Sequence, residues 1–228
     1  MSDALRVVTI DGPSGGGKST VSRGVAAKLG FTYLDTGAMY RAVGYACKQN
    51  NTHLDHPAAL SDLLRDLRIE LRPAVNAESD VQVFLNGVDI SATIRTTEMG
   101  MQASRVSALP EVRRYLTRLQ QQIGAVGEVV AEGRDTGTVV FPDALWKFYL
   151  DASPEIRAGR RAAQLRDRGE QVDEQELLKQ IIQRDQDDSQ RAIAPLKKAD
   201  DAIFIDSSSL SAQEVINTMV KIIAEKAM

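Results

Sequence analysis

Residues 12–20 read GPSGGGKST and follow, one residue on, the run RVVTI, Arg6–Ile10. Four glycines and a proline in nine residues sustain neither a helix nor a strand. The β-branched run before them reads as a short core strand. After them Val21, Val25 and Leu29 recur at four-residue spacing, one face of a helix that Gly30 can stop. A strand, a glycine loop and a helix in that order set the pattern for the remaining chain.

That pattern repeats. FTYL, Phe31–Leu34, reads as a second strand, and DTGAMYRAVGYA as a helix with Thr36 as its N-cap. EVVAEGRD is a buried strand running into a polar tip, LWKFYLD another strand, and AIFID the last. Pro110 opens a helix with Val112, Tyr115, Leu116, Leu119 and Ile123 on one face. Ser153-Pro154-Glu155 starts an arginine-rich helix. Asp173 with Glu176, and Ser211 with Glu214, have capping-box spacing ahead of two more. Five short apolar strands separated by helices predict an α/β three-layer fold around a five-stranded parallel sheet. Residues 66–95 break the alternation. LRIEL and VQVFL alternate apolar with polar, and Asn86-Gly87 is a strong hairpin signal, so a small antiparallel β insertion is expected there. The expected division is a core of residues 1–65, 96–156 and 174–228, the insertion 66–95, and a helical lid at 157–173.

Composition excludes several classes. A chain of 228 residues with 43% hydrophobic content suits one globular unit with a small inserted subdomain. A net charge of −3 argues against a dedicated nucleic-acid or membrane-surface binder. Cys47 is the single cysteine, which precludes an intrachain disulfide and suits a reducing, cytoplasmic setting. No secretory signal is expected in MSDALRVVTI, and no apolar run approaches the ~18 residues of a membrane span. Two histidines and one cysteine make a zinc site an unpromising reading. No exposed apolar stripe stands out, so a monomer is expected.

Gly12-x-x-x-x-Gly17-Lys18-Ser19 fits the phosphate-loop pattern G-x-x-x-x-G-K-S/T in the strand-to-helix context that its mechanism needs. Gly12, Pro13, Ser14, Gly15, Gly16, Gly17, Lys18, Ser19 and Thr20 are therefore the candidate residues for binding a nucleoside triphosphate. The glycines let backbone N–H groups curl round a phosphate, and the helix N-terminus points its dipole at the same anion. Lys18 adds a positive charge for the outer phosphates, and the Ser19 hydroxyl is placed to help bind Mg²⁺.

Other elements narrow the use of the triphosphate. Arg41, and Arg134 with Asp135, follow predicted strands, and the carboxyl ends of parallel strands line the binding crevice. Two arginines there suggest a second anionic group, although Arg41 alone is equally read as a surface ion pair. Arg184, Asp188 and Arg191 are spaced to share one helix face, either a solvated ion-pair ladder or a charged face over phosphates. Arg157, Arg160, Arg161, Arg166 and Arg168 form a basic run in an acidic protein and read as a lid that brings arginine to the transferring group.

Over nearly its whole length the sequence resembles the bacterial cytidylate kinase family of nucleoside monophosphate kinases. The matching stretches are IDGPSGGGKST, LDTGAMYR, the hairpin insertion, EGRDTGTVVFPDA, FYLDAS followed by arginines, and RDQDDSQRAIAPL. The resemblance makes the triphosphate on Gly12 through Thr20 ATP, and implies transfer of its γ-phosphoryl to CMP or dCMP with Mg²⁺. It implies a CMP phosphate on Arg41 and Arg134, cytosine on Ser104, Arg113 and Asp135, ribose on Arg184 and Asp188, and Thr36 within the same site. Arg160, Arg161 and Arg191 would approach the transferring phosphoryl. Thr36 stands where many members have serine, which keeps the hydroxyl, and Gly159 interrupts the arginine run, leaving open which lid arginine meets the γ-phosphate. Without the resemblance, Ser104 reads as a helix-surface serine. A GTPase-like switch lacks its guanine-reading Asn-Lys-x-Asp, since LKKAD has no asparagine and precedes the last strand. A kinase of the same fold for another monophosphate or for shikimate is the nearer alternative.

Overall fold

The computed structural model describes residues 5–74, 80–167 and 169–226. Arg168 of the arginine run and residues 75–79 of the expected insertion lie outside the described residues. The chain divides into two compact units, Met1–Phe31 with Glu128–Met228, and Thr32–Gly127.

In the first unit, β1 (Leu5–Asp11) is central because Val7, Val8 and Ile10 have no exposed surface on either face. It pairs in parallel with β6 (Val129–Gly133) from Val7↔Val129 to Asp11↔Gly133. On its other side it pairs with β7 (Ala144–Asp151), which in turn pairs with β8 (Ile203–Asp206). The five-stranded order is β2-β6-β1-β7-β8, in which β2 (Thr32–Asp35) belongs by sequence to the second unit. Helix α1 (Lys18–Leu29) ends on Gly30 in the left-handed conformation, as its sequence predicts. Helix α6 (Pro154–Arg166) is capped by Ser153, whose hydroxyl accepts from the Ile156 N–H, and α7 (Glu174–Gln190) by Asp173. Before α8 (Ala212–Lys226), the Ser211 N–H donates to Glu214 Oε2 at 2.8 Å and the Glu214 N–H donates back to Ser211 Oγ at 3.3 Å, a reciprocal capping box.

The second unit holds α2 (Thr36–Gln49), α3 (Pro57–Asp66), β3 (Ile69–Arg72), β4 (Gln82–Leu85), β5 (Val88–Asp89), α4 (Thr97–Ser107) and α5 (Pro110–Gly124). The expected hairpin is present. The antiparallel sheet runs β3-β4-β5, with Asn86 and Gly87 both at positive φ (50° and 83°) between β4 and β5. The Tyr115 hydroxyl donates to the Leu67 carbonyl at 2.6 Å and ties α5 to the chain entering β3.

Three local expectations are corrected. The N-cap of α2 is Asp35, whose Oδ1 accepts from the Ala38 N–H at 2.8 Å; Thr36 is the first helical residue. A carboxylate both accepts the free N–H and complements the positive helix end, and so outcompetes the hydroxyl. Arg191 lies one residue beyond α7 with extended backbone (φ −62°, ψ 141°), so a continuous helix does not carry it. Arg157 is 3% exposed and fully engaged, and does not belong to a surface basic patch.

Candidate active site

Beyond β1 the chain builds the sheet first on the β2-β6 side and then on the β7-β8 side. In open α/β sheets ligands lodge at the carboxyl edge where the strand order reverses. The loop Gly12–Gly17 leaves the carboxyl end of β1 at that reversal. Gly12 has φ 151°, and a Cβ there would lie 2.0 Å from the Leu150 carbonyl oxygen, so only glycine lets the chain turn against β7. The loop ends on Gly17, a left-handed N-cap (φ 82°, ψ 8°) with no side-chain acceptor for the first N–H groups of α1. Ser153 and Asp173 supply such acceptors to α6 and α7. The N-terminus of α1 is therefore left for an external anion.

Lys18 is 6% exposed, and its Nζ donates to the Pro13 carbonyl at 2.5 Å, across the mouth of the loop. Burial first, and then the Arg134 charge, pull its ammonium down to about 7, against the opposing pull of Glu132 and Asp11. Ser19 Oγ donates to Glu132 Oε1 at 2.8 Å, and Glu132 is buried at the end of β6. Asp11 accepts from the Thr136 N–H (2.9 Å), the Thr136 hydroxyl (2.8 Å) and the Gly137 N–H (2.8 Å). It thereby anchors Thr136–Val140, one widened helical turn closed by i→i+5 bonds from Val140 N–H to Asp135 O and from Phe141 N–H to Thr136 O. Such turns recur at functional sites because they re-aim the residues beside them. Burial raises the Asp11 carboxyl above the usual carboxylate range, with those three donors opposing.

The turn follows Arg134 and Asp135. Arg134 Nε donates to Asp188 Oδ2 at 2.9 Å, and Arg191 lies 3.4 Å from Asp135 Oδ1 and 3.8 Å from Asp188 Oδ1. Arg134 thus pairs across to α7 and not with its chain neighbour Asp135. Burial pushes the Asp188 carboxyl up, but Arg134, Arg184 and Arg191 together outweigh it and hold it below the usual carboxylate range. In the arginine run, Arg160 donates to Ser207 Oγ (3.1 Å) and to the Ser207 carbonyl (2.6 Å). Its Nη1 also lies 4.0 Å from the space that a Cβ on Gly17 would fill. Arg161 reaches Gln164, and Arg166 pairs with Glu174.

In the second unit, Thr36 is buried at the start of α2. Arg41 one turn on donates to the Ile94 carbonyl at 2.8 Å and the Thr96 carbonyl at 3.3 Å. Arg113 is 4% exposed; it donates to the Ser107 carbonyl at 3.0 Å and lies over the Tyr40 ring at 5.7 Å. Ser104, on α4, is half-buried and its carbonyl accepts from the Ser107 hydroxyl.

Sequence reasoning did not single out Glu132, Asp11 or Arg157. Glu132 was detectable as a lone carboxylate ending an apolar strand, and Asp11 as the acid immediately before the glycine loop. Arg157 carried no signal that separates it from its arginine neighbours. Among the described residues, no three His, Cys, Asp or Glu side chains gather into a metal cage, and no helix is long and apolar enough to cross a membrane.

An open parallel sheet, an uncapped phosphate loop at its reversal point, and a lysine and arginines on the same edge define a P-loop nucleotide-binding protein of the kinase type. The cytidylate kinase family model matches residues 8–225, and the chain belongs to that family. It is 46% identical over 219 residues to a cytidylate kinase of Carboxydothermus hydrogenoformans, covering 96% of this chain and 97% of the relative. It is 47% identical over 214 residues to a cytidylate kinase of Aeromonas salmonicida, covering 94% and 92%. Among solved structures, an uncharacterized protein from Eubacterium ventriosum superposes with a TM-score of 0.51 at 11% identity, over 97% of this chain and 99% of that one, a likeness of fold alone.

Proposed function

We propose that the chain transfers the γ-phosphoryl group of ATP to CMP or dCMP, giving ADP and CDP or dCDP. The observation that carries this is the uncapped α1 N-terminus with Lys18, Ser19 and Glu132 at the phosphate loop, in a chain of the cytidylate kinase family. The loop N–H groups and Lys18 bind the β- and γ-phosphates. Arg41 and Arg134 take the acceptor phosphate, Arg184 and Asp188 the ribose, and Thr36 sits within the same acceptor site. Arg160, Arg161 and Arg191 supply positive charge to the transferring group. Ser19 and Glu132 are hard oxygen donors and fit Mg²⁺, which is commonly held by one or two carboxylates plus substrate phosphates. When bound, the ion neutralises charge on the phosphate oxygens. The net charge of −3 suits free nucleotides as partners better than a nucleic-acid strand, and one copy of the chain supplies every residue named, so a monomer suffices for the reaction. Its single cysteine, buried Cys47, suits the cytoplasm.

Cytosine falls to Ser104, Arg113 and Asp135. Cytosine offers an N4 donor with N3 and O2 acceptors, whereas uracil presents O4 and N3–H reversed. The Asp135 carboxylate only accepts and Arg113 only donates, so both suit cytosine and oppose uracil. The test is ADP release with CMP, dCMP, UMP, AMP and shikimate as acceptors. CMP is expected to exceed UMP in kcat/KM by at least about 10², or roughly 2.7 kcal/mol. UMP within threefold of CMP, or shikimate as the better acceptor, overturns the reading.

The depressed Lys18 ammonium gives a second expectation. Its value in the free protein is about 7, so at pH 8 most free protein carries the neutral amine. A bound polyphosphate favours the charged form, so binding takes up a proton at pH 8 and none at pH 6, where Lys18 is already charged. Calorimetry of MgADP binding in buffers of different ionisation enthalpy is expected to show uptake of up to about one proton at pH 8. Lys18→Met should show none. Equal uptake in the two proteins defeats the assignment.

A further inference from the structure

The sequence offers Arg157 as one of several lid arginines. In the structure it is the one whose guanidinium is almost wholly enclosed, at 3% exposure among the described residues of the run. Its Nε donates to the Ala152 carbonyl at 2.8 Å, Nη1 to the Ser14 carbonyl at 3.0 Å, and Nη2 meets Asp185 Oδ2 at 2.6 Å. The Asp151 carboxylate stands 3.8 Å from Nε. One planar group thus joins three places: the exit of β7, the phosphate loop and the middle of α7.

We propose that Arg157 is a positioning residue for the phosphate loop. It fixes the Ser14–Gly15 peptide in its phosphate-accepting orientation and ties the loop to α7. In a planar trans peptide the C=O and N–H point in opposite directions. Fastening the Ser14 carbonyl toward Arg157 therefore turns the Gly15 N–H away from Arg157. The seat is tight: a Cβ on Gly15 (φ 78°) would lie 3.2 Å from Arg157 Cβ and 3.3 Å from its carbonyl oxygen. The wall of the loop is thus Arg157 itself, and the N–H faces the other side.

The chemistry requires arginine. A buried cation needs a partner for each donor direction, and the planar guanidinium fork meets a backbone carbonyl, a loop carbonyl and a carboxylate at once. Lysine presents a point charge on a flexible stem and cannot hold all three. Asp185 adjoins Arg184 on α7 and lies one turn before Asp188, the partner of Arg134. A shift of the loop on binding phosphate is thereby passed to the helix that carries those groups.

The inference rests on the proposed function only in that the loop takes a nucleoside polyphosphate. The test is binding of MgADP, which needs no acceptor, alongside steady-state kinetics. Arg157→Lys, verified as folded by its circular dichroism and melting curve, is expected to weaken MgADP binding and raise KM for ATP by about tenfold or more, the loss of one charged hydrogen bond. KM for CMP should move less than threefold. Asp185→Asn keeps the Ser14 contact, so it serves even if Arg157→Lys does not fold. It is expected to leave MgADP affinity within about threefold and to remove the rise in hydrogen-exchange protection of α7 that MgADP produces in the wild type. A folded Arg157→Lys with MgADP affinity within twofold of wild type overturns the positioning role, and an undiminished α7 response in Asp185→Asn overturns the tie to α7. A wild type that binds MgADP yet phosphorylates no nucleotide would defeat the functional reading and leave this inference standing.

Discussion

Lys18→Met is expected to lower kcat/KM for phosphoryl transfer by about 10³ or more while leaving the fold intact. The γ-phosphoryl passes through a loose transition state whose charge spreads over the equatorial oxygens, and positioning plus electrostatics supply most of the catalysis. Lys18 is the loop's own cation, held at 6% exposure where water screens little, so its charge acts at close to full strength. A factor of 10³ is about 4 kcal/mol of barrier, a reasonable loss for one charged contact made in a dry site. The same burial keeps the substitution from confounding folding. In the free protein Lys18 donates to the Pro13 carbonyl, and its ammonium is already destabilised to about 7. Exchanging such a group for an apolar chain of similar length is near neutral or mildly stabilising. Sign matters here. A lysine with its folded-state value lowered binds fewer protons folded than unfolded between pH 7 and its ordinary value. It therefore makes stability rise with pH across that window, and Lys18→Met should flatten the rise. ADP release under saturating ATP and CMP measures the kinetic loss. Retention of more than about a tenth of wild-type kcat in a protein with an unchanged melting curve would show that the loop is not the catalytic anion site.

The phosphate loop was legible in the sequence because its chemistry is local. Glycines, lysine and hydroxyl must occur at fixed spacing, and the flanking strand and helix announce themselves by periodicity. The hairpin was legible for the same reason, since Asn86 and Gly87 both take the positive φ that such a turn demands. What escaped was non-local. Arg134 reaches Asp188 across 54 positions, and nothing in either segment states that the partner is not Asp135 next door. Arg157 looks like its neighbours in an arginine-rich helix, and only burial against Ser14 and Asp185 sets it apart. Helix α3 gave little signal because it buries just Leu60 and Leu64, too few positions to mark a face. The Asp35 cap was hidden because the strand and helix meet without a loop, so two adjacent polar residues competed for one role.

Glu132→Gln is expected to reduce kcat by about 10²–10³, although the substitution changes one atom and removes one charge. The amide oxygen can still accept from Ser19 Oγ, so the 2.8 Å contact and the packing of β6 should survive, and loss of charge is isolated from loss of shape. The proposed cation site would then retain a hydroxyl and no adjacent carboxylate. The half-saturating Mg²⁺ concentration is therefore expected to rise along with the fall in kcat. An independent signature lies in Lys18. Glu132 is the largest influence raising its ammonium, against burial and Arg134. With that charge gone, Lys18 falls further below about 7. Proton uptake on binding MgADP should then persist at pH 6.5–7, where in the wild type it is fading. A merely structural glutamate would still shift the Lys18 readout through its charge, but would leave kcat and the Mg²⁺ dependence unchanged. If Glu132→Gln keeps kcat within threefold and its Mg²⁺ dependence is unchanged, Ser19 alone serves the cation, and Glu132 is a buried acid whose task is to orient the serine.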